Sequence, residues 1–303
     1  MKLKNIGMYL RDPSVMLLGL AKWGYLRWLS DKAYLKLSYR IKEKEKLNLD
    51  NPKTYNEKLQ WLKLYDRKPI YTRMVDKYEA KKFVAEQIGE EYVVPTLGVW
   101  DRFEDINFDA LPEKFVLKCT HDSGDLAICH NKAEFDIEAA RRQFTSSLKR
   151  NYYWSSREWA YKDVKPRIIA EQYMEDTETQ ELRDYKFFVF NGSVKIFYIT
   201  SGRKAGDRRT DFFDLDLNHL DLRDCDEMAD IPPAFPKNLD KMMELAEKLS
   251  VGIPQLRVDF YEVDGQIYVG EFTFYYCGGH VPFKPKKWDA IWGEWLELPA
   301  IKD

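Results

Sequence analysis

Apolar and polar positions along the chain alternate with two periods, and the switches between them mark its elements. Residues 55–64, 135–150 and 239–249 carry apolar side chains at helical spacing. Residues 76–88 mix Ala with Lys and Glu and end at Gly89, a helix-terminating position. Residues 115–119 (Phe-Val-Leu-Lys-Cys) predict a strand, His121-Asp122-Ser123-Gly124-Asp125 a turn, and residues 126–129 the returning strand. A further strand is predicted over 167–173. Two hairpins are the clearest features: 184–190 and 193–200 flank Asn191-Gly192, and 255–262 and 266–274 flank Asp264-Gly265. Both dipeptides supply the positive φ of a tight hairpin turn. Strands interspersed with helices and antiparallel hairpins imply an α+β or mixed α/β architecture.

The second hairpin carries Asp259 and Glu271, and its register decides whether they act together, because strand side chains alternate faces. A two-residue turn pairs Val263 with Gln266 and sends the two acids to opposite faces. A three-residue loop with Gly265 left-handed pairs Glu262 with Gln266 and sets Arg257 opposite Glu271. Arg257, Asp259, Glu271 and Thr273 then share one face, and Val258, Phe260, Gly270, Phe272 and Phe274 the other. Burial favours that second register. Two carboxylates, a hydroxyl and a guanidinium on one surface suit Mg²⁺, which takes one or two carboxylates and fills its shell with water and phosphate. A cross-strand Arg–Glu pair on a solvated sheet face is the competing reading.

Composition sets outer bounds. The chain has 303 residues, 45% hydrophobic and 15% aromatic, enough for a sizeable core of about two domains or one large α/β unit. Lys+Arg 48 against Asp+Glu 50 argues against a nucleic-acid partner. Cys119, Cys129, Cys225 and Cys277 are too few and scattered for a disulfide scaffold, which suggests a reducing, cytoplasmic setting. The charge is uneven: residues 1–47 hold eleven Lys/Arg and four Asp/Glu, a net of +7, leaving −9 for the rest. No run approaches the ~20 apolar residues of a membrane span. Residues 1–47 therefore predict a basic amphipathic helical segment, packed on the body or resting on the inner face of a membrane.

In order, the motifs Asp76-Lys77, Lys118 with Thr120-His121-Asp122-Ser123-Gly124, and Ala170-Glu171-Gln172-Tyr173-Met174 form a familiar series. Asp184-Tyr185-Lys186, Arg257-Val-Asp259 and Glu271-Phe-Thr273 continue it. From about residue 50 onward the chain resembles the TupA-like branch of the ATP-grasp superfamily, found in bacterial surface-polysaccharide and teichuronopeptide gene clusters. The resemblance implies an ATP-grasp fold, two α+β subdomains clasping ATP, behind an N-terminal basic helical segment. Its divisions are residues 1–50 for that segment, 51–110 for an acceptor-side region, 111–174 for a lid subdomain and 175–303 for a catalytic subdomain.

The activity implied is ligation of a carboxylate, here a uronic acid of a polysaccharide, to an amine such as an amino acid through an acylphosphate. Lys77 and Lys118 would meet the phosphates, and the Ser123-Gly124 turn would close over them. Glu171, Gln172, Tyr173 and Met174 would read adenine, Asp184 the ribose, with Lys186 beside it. Asp259, Glu271 and Thr273 would hold two Mg²⁺ ions, and Arg257 would stabilise the transferring phosphoryl group. Many ATP-grasp ligases have Asn where this chain has Thr273, whose hydroxyl has a shorter reach; Thr looks usual for the TupA-like branch. The basic loop containing Lys204 and Arg209 would serve the anionic acceptor, and the Cys277-Gly-Gly-His280 turn would floor the site.

Other motifs carry less. Cys119, His121, Cys129 and His130 match no common zinc spacing. No G-x-x-x-x-G-K loop is present. Asp214-Leu-Asp216 is the Asp-x-Asp pattern of many sugar-nucleotide glycosyltransferases, which makes such a transferase the runner-up. A non-catalytic scaffold is disfavoured by the intact Lys118, Asp259 and Glu271.

Overall fold

A computed structural model describes residues 13–21, 24–124, 126–178, 181–202 and 206–301, with side chains described from residue 17. Two antiparallel sheets frame the molecule. The smaller has the order β1-β4-β2-β3, with β1 Thr96–Trp100, β2 Phe115–Cys119, β3 Leu126–Cys129 and β4 Ile168–Gln172. The larger has the order β7-β6-β5-β8-β9: β5 Asp184–Phe190, β6 Ser193–Ser201, β7 Arg209–Phe213, β8 Gln255–Val263 and β9 Gln266–Thr273.

Alternation gives each sheet one apolar face and one mixed face. On β2, Phe115, Leu117 and Cys119 join Phe144, Ile168 and Ala170 in a separate small core. Val116 and Lys118 point to the opposite side. In the larger sheet, Val258, Phe260, Phe187 and Phe197 face the helix Leu239–Leu249, whose Met242, Leu245, Ala246 and Leu249 are buried. The other face is polar at the Asp184–Lys186 end of β5. Toward Phe188 and Phe190 it is apolar and packs on Trp292 of the helix Lys287–Trp295.

The boundaries of several elements follow from capping. Thr54 and Glu57 form a reciprocal capping box that starts the helix Tyr55–Tyr65. The helix predicted from residue 76 begins later, at Glu79–Ile88, because the Asp76 side chain accepts from the backbone N–H groups of Tyr78 and Glu79. Before it lies a separate short helix, Pro69–Val75. Strand β1 precedes the expected lid boundary at 111 and pairs with β4, so the smaller sheet takes an edge from the preceding region. At the N-terminus, the helices Pro13–Ala21 and Asp31–Lys42 pack on the body through Leu18, Ala21, Tyr34, Leu35, Tyr39 and Ile41. No helix of the described residues is long and apolar enough to cross a membrane.

The hairpin carrying Asp259 and Glu271 corrects the expected register. Its loop has two residues, Asp264 and Gly265, with φ of 51° and 82°, and Val263 pairs with Gln266. The extra residue lies instead in β9. Pairing runs to Phe260–Val269, skips Gly270, and resumes with Asp259 directly opposite Glu271 and Arg257 opposite Thr273. This β-bulge turns both acids to one face, where the uninterrupted two-residue register would have separated them.

Candidate active site

The mixed faces of the two sheets enclose a polar cleft of about 440 Å³, lined by Lys77, Lys118, Ser123, Gly124, Asp184, Lys186, Arg257, Asp259 and Glu271 among others. Lys118 and Tyr261 also line an adjoining cavity of about 420 Å³, whose walls include Val94, Val116, Ile128, Tyr173, Met174 and Leu182. The second cavity is mostly apolar, with Glu171, Glu175 and Glu181 at its edges, whereas the first is densely charged.

On the smaller sheet, Glu171 sits between two cations. Its carboxylate lies 2.6 Å from Lys118 Nζ and 2.7 Å from Lys81 Nζ. Burial alone would raise the Glu171 carboxyl, but the two ammonium groups outweigh it and bring it down to about 2. Lys118 is held above the ordinary lysine range for the converse reason: its burial penalty is overcome by Glu171. The carboxylate expected to read a base is thus committed to the lysines. Gln172, Tyr173 and Met174 line the apolar cavity beside it. Lys81, on the helix Glu79–Ile88, carries no sequence signal that separates it from its neighbour Lys82.

Lys77 bridges the cleft mouth. Its Nζ donates to the Asp122 carbonyl at the start of the Ser123-Gly124 turn and lies 3.5 Å from Glu271 Oε1. Gly124, at φ 98°, has open space where a side chain would stand, so the turn leaves room over the cleft.

On the larger sheet, Asp259 is the centre of a buried ion network. Arg257 grips it bidentately, Nε to Oδ1 at 2.6 Å and Nη2 to Oδ2 at 2.8 Å. Lys186, on the neighbouring strand and directly in register, donates to Oδ2 and lies 3.2 Å from Asp184. Burial would raise the Asp259 carboxyl; the Arg257 and Lys186 charges hold it below the usual carboxylate range. Arg257 also lies over the Tyr276 ring at 5.2 Å. Thr273 shares the sheet face with Glu271 but is not part of the cleft lining. Asp259 and Glu271 are hard oxygen donors on one surface, but Arg257 and Lys186 hold both Asp259 oxygens, so a divalent cation there would have to displace one of these contacts. Among the described residues, no group of three or more His, Cys, Asp or Glu side chains is arranged to hold a metal by itself.

The far end of the cleft holds Arg208, from the basic loop expected to serve the acceptor, and groups the sequence did not single out: Tyr198, Thr200, Thr210, Asp224 and Asp226. Arg208 pairs with Asp226 at 2.7 Å and lines the cleft. Arg209, the expected acceptor-side residue, does not. Strand β7 begins at this position, and alternation turns Thr210 inward and Arg209 outward, where it pairs with Asp207 at 2.9 Å. Lys204 lies outside the described residues. Cys277 lines the cleft floor, while Gly278 and Gly279 give their carbonyls to the buried Lys63 and Gln60.

The runner-up motif serves local structure. Asp214 accepts from the backbone N–H groups of Asp216 and Asn218 and from the Asn218 side chain, closing an exposed turn at the end of β7. Of the zinc-like quartet, Cys119 and Cys129 are buried in the small core and His121 bonds the Ser147 carbonyl at 3.0 Å.

A family model described as TupA-like ATPgrasp matches residues 57–297. No curated protein matches the chain. Among solved structures, the chain is similar to the D-alanine–D-alanine ligase of Bacillus anthracis complexed with ATP, at 17% identity over 66% of this chain and 53% of that one, TM-score 0.37. It is also similar to N5-carboxyaminoimidazole synthetase from Staphylococcus aureus complexed with ADP, at 13% identity over 90% and 60%, TM-score 0.42. A third is the ATP-grasp ligase PsnB with minimal precursor, Mg and ADP, at 14% identity over 72% and 57%, TM-score 0.39. The chain spans little more than half the length of each of these proteins. With the family pattern matched from before the smaller sheet to beyond the final helix, the chain belongs to the TupA-like ATP-grasp family.

Proposed function

We propose that the protein is an ATP-dependent carboxylate–amine ligase of surface-polysaccharide biosynthesis, acting in the cytoplasm on a uronate carboxylate. One observation carries this reading: two cavities meet at Lys118 and Tyr261, one walled largely by apolar side chains and the other lined by lysines, carboxylates and arginines. The apolar cavity suits a purine against Tyr173 and Met174, with Asp184 near the ribose. Lys118 and Lys77 stand where phosphate oxygens would follow, as point charges fixed by Glu171 and the Asp122 carbonyl.

Charge balance supports a metal. The cleft lining contains Lys77, Lys118, Lys186, Arg208 and Arg257 against Asp184, Asp224, Asp226, Asp259 and Glu271, which cancel. A triphosphate entering a neutral cleft needs accompanying cations, and Asp259 and Glu271 are the acids that would offer oxygens to Mg²⁺. Such an ion, when bound, would neutralise charge on the transferring phosphoryl group. One ion would draw on these two acids; a second would need Thr273.

The chain's own groups supply the rest by positioning. Arg208 and Arg257, paired with Asp226 and Asp259, are the arginines a uronate carboxylate would meet, and Thr200, Thr210 and Tyr198 offer hydroxyls to a sugar ring. A carboxylate oxygen attacks the γ-phosphorus and ADP leaves, giving an acylphosphate. The amine nitrogen then attacks the carbonyl carbon and phosphate leaves, with a proton released from the amine. Arg257 faces the charge that develops in both steps.

The test is nucleotide binding and turnover. Mg·ATP should raise the thermal midpoint where UDP-sugars do not, and the ATP effect should vanish with EDTA. Uronate oligosaccharides with an amino-acid mixture should release ADP and gain the mass of an amide-linked amino acid. Asp259→Asn and Glu271→Gln should abolish that turnover. A protein that neither binds Mg·ATP nor responds to either substitution refutes the ligase reading.

A further inference from the structure

The two most exposed aromatic rings of the described residues are neighbours in the chain: Trp28 at 78% and Tyr25 at 67% exposure. Leu17 and Leu20, on the preceding helix, are also exposed. Directly after them, the helix Asp31–Lys42 exposes Lys32, Lys36 and Arg40, spaced by four and so aligned along one side. None of the three cations has an ion-pair partner among the described residues. The opposite side of the same helix is buried through Tyr34, Leu35, Ser38 and Tyr39.

We propose that this face docks the protein on an anionic phospholipid membrane surface. Its apolar and basic groups are held in place rather than carried on a loose tail. Asp31 pairs with Arg67 at 2.6 Å, and the buried Arg157 guanidinium donates to the Leu26 carbonyl at 2.7 Å while lying over the Tyr34 and Trp154 rings. Charge complementarity selects an acidic partner, because residues 1–47 carry +7 on a chain of −2. The rings and leucines select a lipid one. Trp and Tyr favour the headgroup boundary, and exposed leucines gain from acyl chains but nothing from a hydrated polyanion. No helix of the described residues is long and apolar enough to span a membrane. The inference goes beyond the ligase reading and does not need it, since the docking face and the cleft share no residue.

The experiment is co-sedimentation of the full chain, without nucleotide, with sucrose-loaded vesicles of phosphatidylcholine alone or with phosphatidylglycerol. The chain should pellet with the phosphatidylglycerol vesicles and stay in solution with neutral ones. Changing Lys32, Lys36 and Arg40 together to Glu should weaken binding by roughly a hundredfold. Trp28→Ala with Tyr25→Ala should weaken it by roughly tenfold. All five side chains are exposed, and Gln replacements of the three cations, also expected to weaken binding, guard against a folding defect. Equal pelleting with neutral vesicles, no pelleting at all, or unchanged binding by either variant overturns the proposal. So does capture of a soluble polyuronate in place of vesicles, or a dimer in sedimentation velocity that Trp28→Ala dissociates.

Discussion

Glu171→Gln is the substitution whose cost follows most directly from the structure. The Glu171 side chain is 8% exposed and lies between Lys118 and Lys81, at 21% and 13%. Removing its charge strands two cations in a largely desolvated site. Its carboxyl sits at about 2 in the folded protein, against about 4.3 for an unfolded glutamate. That difference corresponds to about 3 kcal/mol of stability at neutral pH. Breaking a buried ion pair by removing one partner costs about 3–5 kcal/mol. The two routes agree, and the expected loss at neutral pH is about 3–5 kcal/mol.

The sign fixes the pH window. Glu171 is depressed on folding, so its contribution is complete above the unfolded value of about 4.3 and disappears as pH falls towards about 2. Urea unfolding of wild type and variant in parallel isolates the effect, because other titrating groups cancel in the difference. The gap should be full at pH 7 and shrink through the acid range. Adding Lys118→Met to Glu171→Gln should recover at least about 1 kcal/mol, since one stranded cation is gone. A loss below about 1 kcal/mol at pH 7, or a gap independent of pH, would refute the buried-triad reasoning.

Three further outcomes follow from the geometry. In Gly270→Ala the new Cβ would stand 2.8 Å from Tyr261 Cε2; the ring must shift, costing about 1–3 kcal/mol in urea unfolding and weakening nucleotide binding, as Tyr261 lines both cavities. Arg208→Ala should raise the KM for the carboxylate substrate at least about tenfold, whereas Arg209→Ala, on the outward face of β7, should stay within about twofold by the same ADP-release assay. Asp214→Ala should leave turnover unchanged and lower stability by about 1 kcal/mol through its turn, and a loss of sugar-nucleotide binding would revive the transferase reading.

How far the sequence could be read depended on whether the cause was local. The Asn191-Gly192 hairpin, the strand 115–119 and the helix 239–249 rest on turn chemistry and periodicity within a few residues and appear as expected, while the Asp264-Gly265 hairpin appears in a different register. Strand β1, Thr-Leu-Gly-Val-Trp, has no clear alternation and exists because β4 offers it an edge. The same holds for β7: nothing in Arg209-Thr210-Asp211 announces a strand, and the inward turn of Thr210 follows from pairing with Thr200 on β6. At Glu171, burial in an apolar strand demanded a partner without naming one. The partners come from a helix and a strand that only the tertiary fold brings together.

The Asp259–Glu271 hairpin shows why a right conclusion can rest on a wrong register. Two demands act on this segment. Asp264 and Gly265, both at positive φ, enforce a two-residue turn. Burial of Val258, Phe260 and Phe272 on one side, with the acids opposite, requires one residue more than that turn provides. The sequence reading placed the extra residue in the loop; the fold places it at Gly270, beside the cleft. A loop residue would have shifted every pair along the hairpin. The bulge leaves the pairs near the turn alone, so Glu262 still reaches the N–H groups of Lys237 and Asn238 ahead of the buried helix, and resets only the stretch that carries the chemistry. Glycine suits this position because the Tyr261 ring occupies the space of a side chain. One residue thus serves turn, core and cleft at once, and it does so at the boundary between the two cavities that share Tyr261.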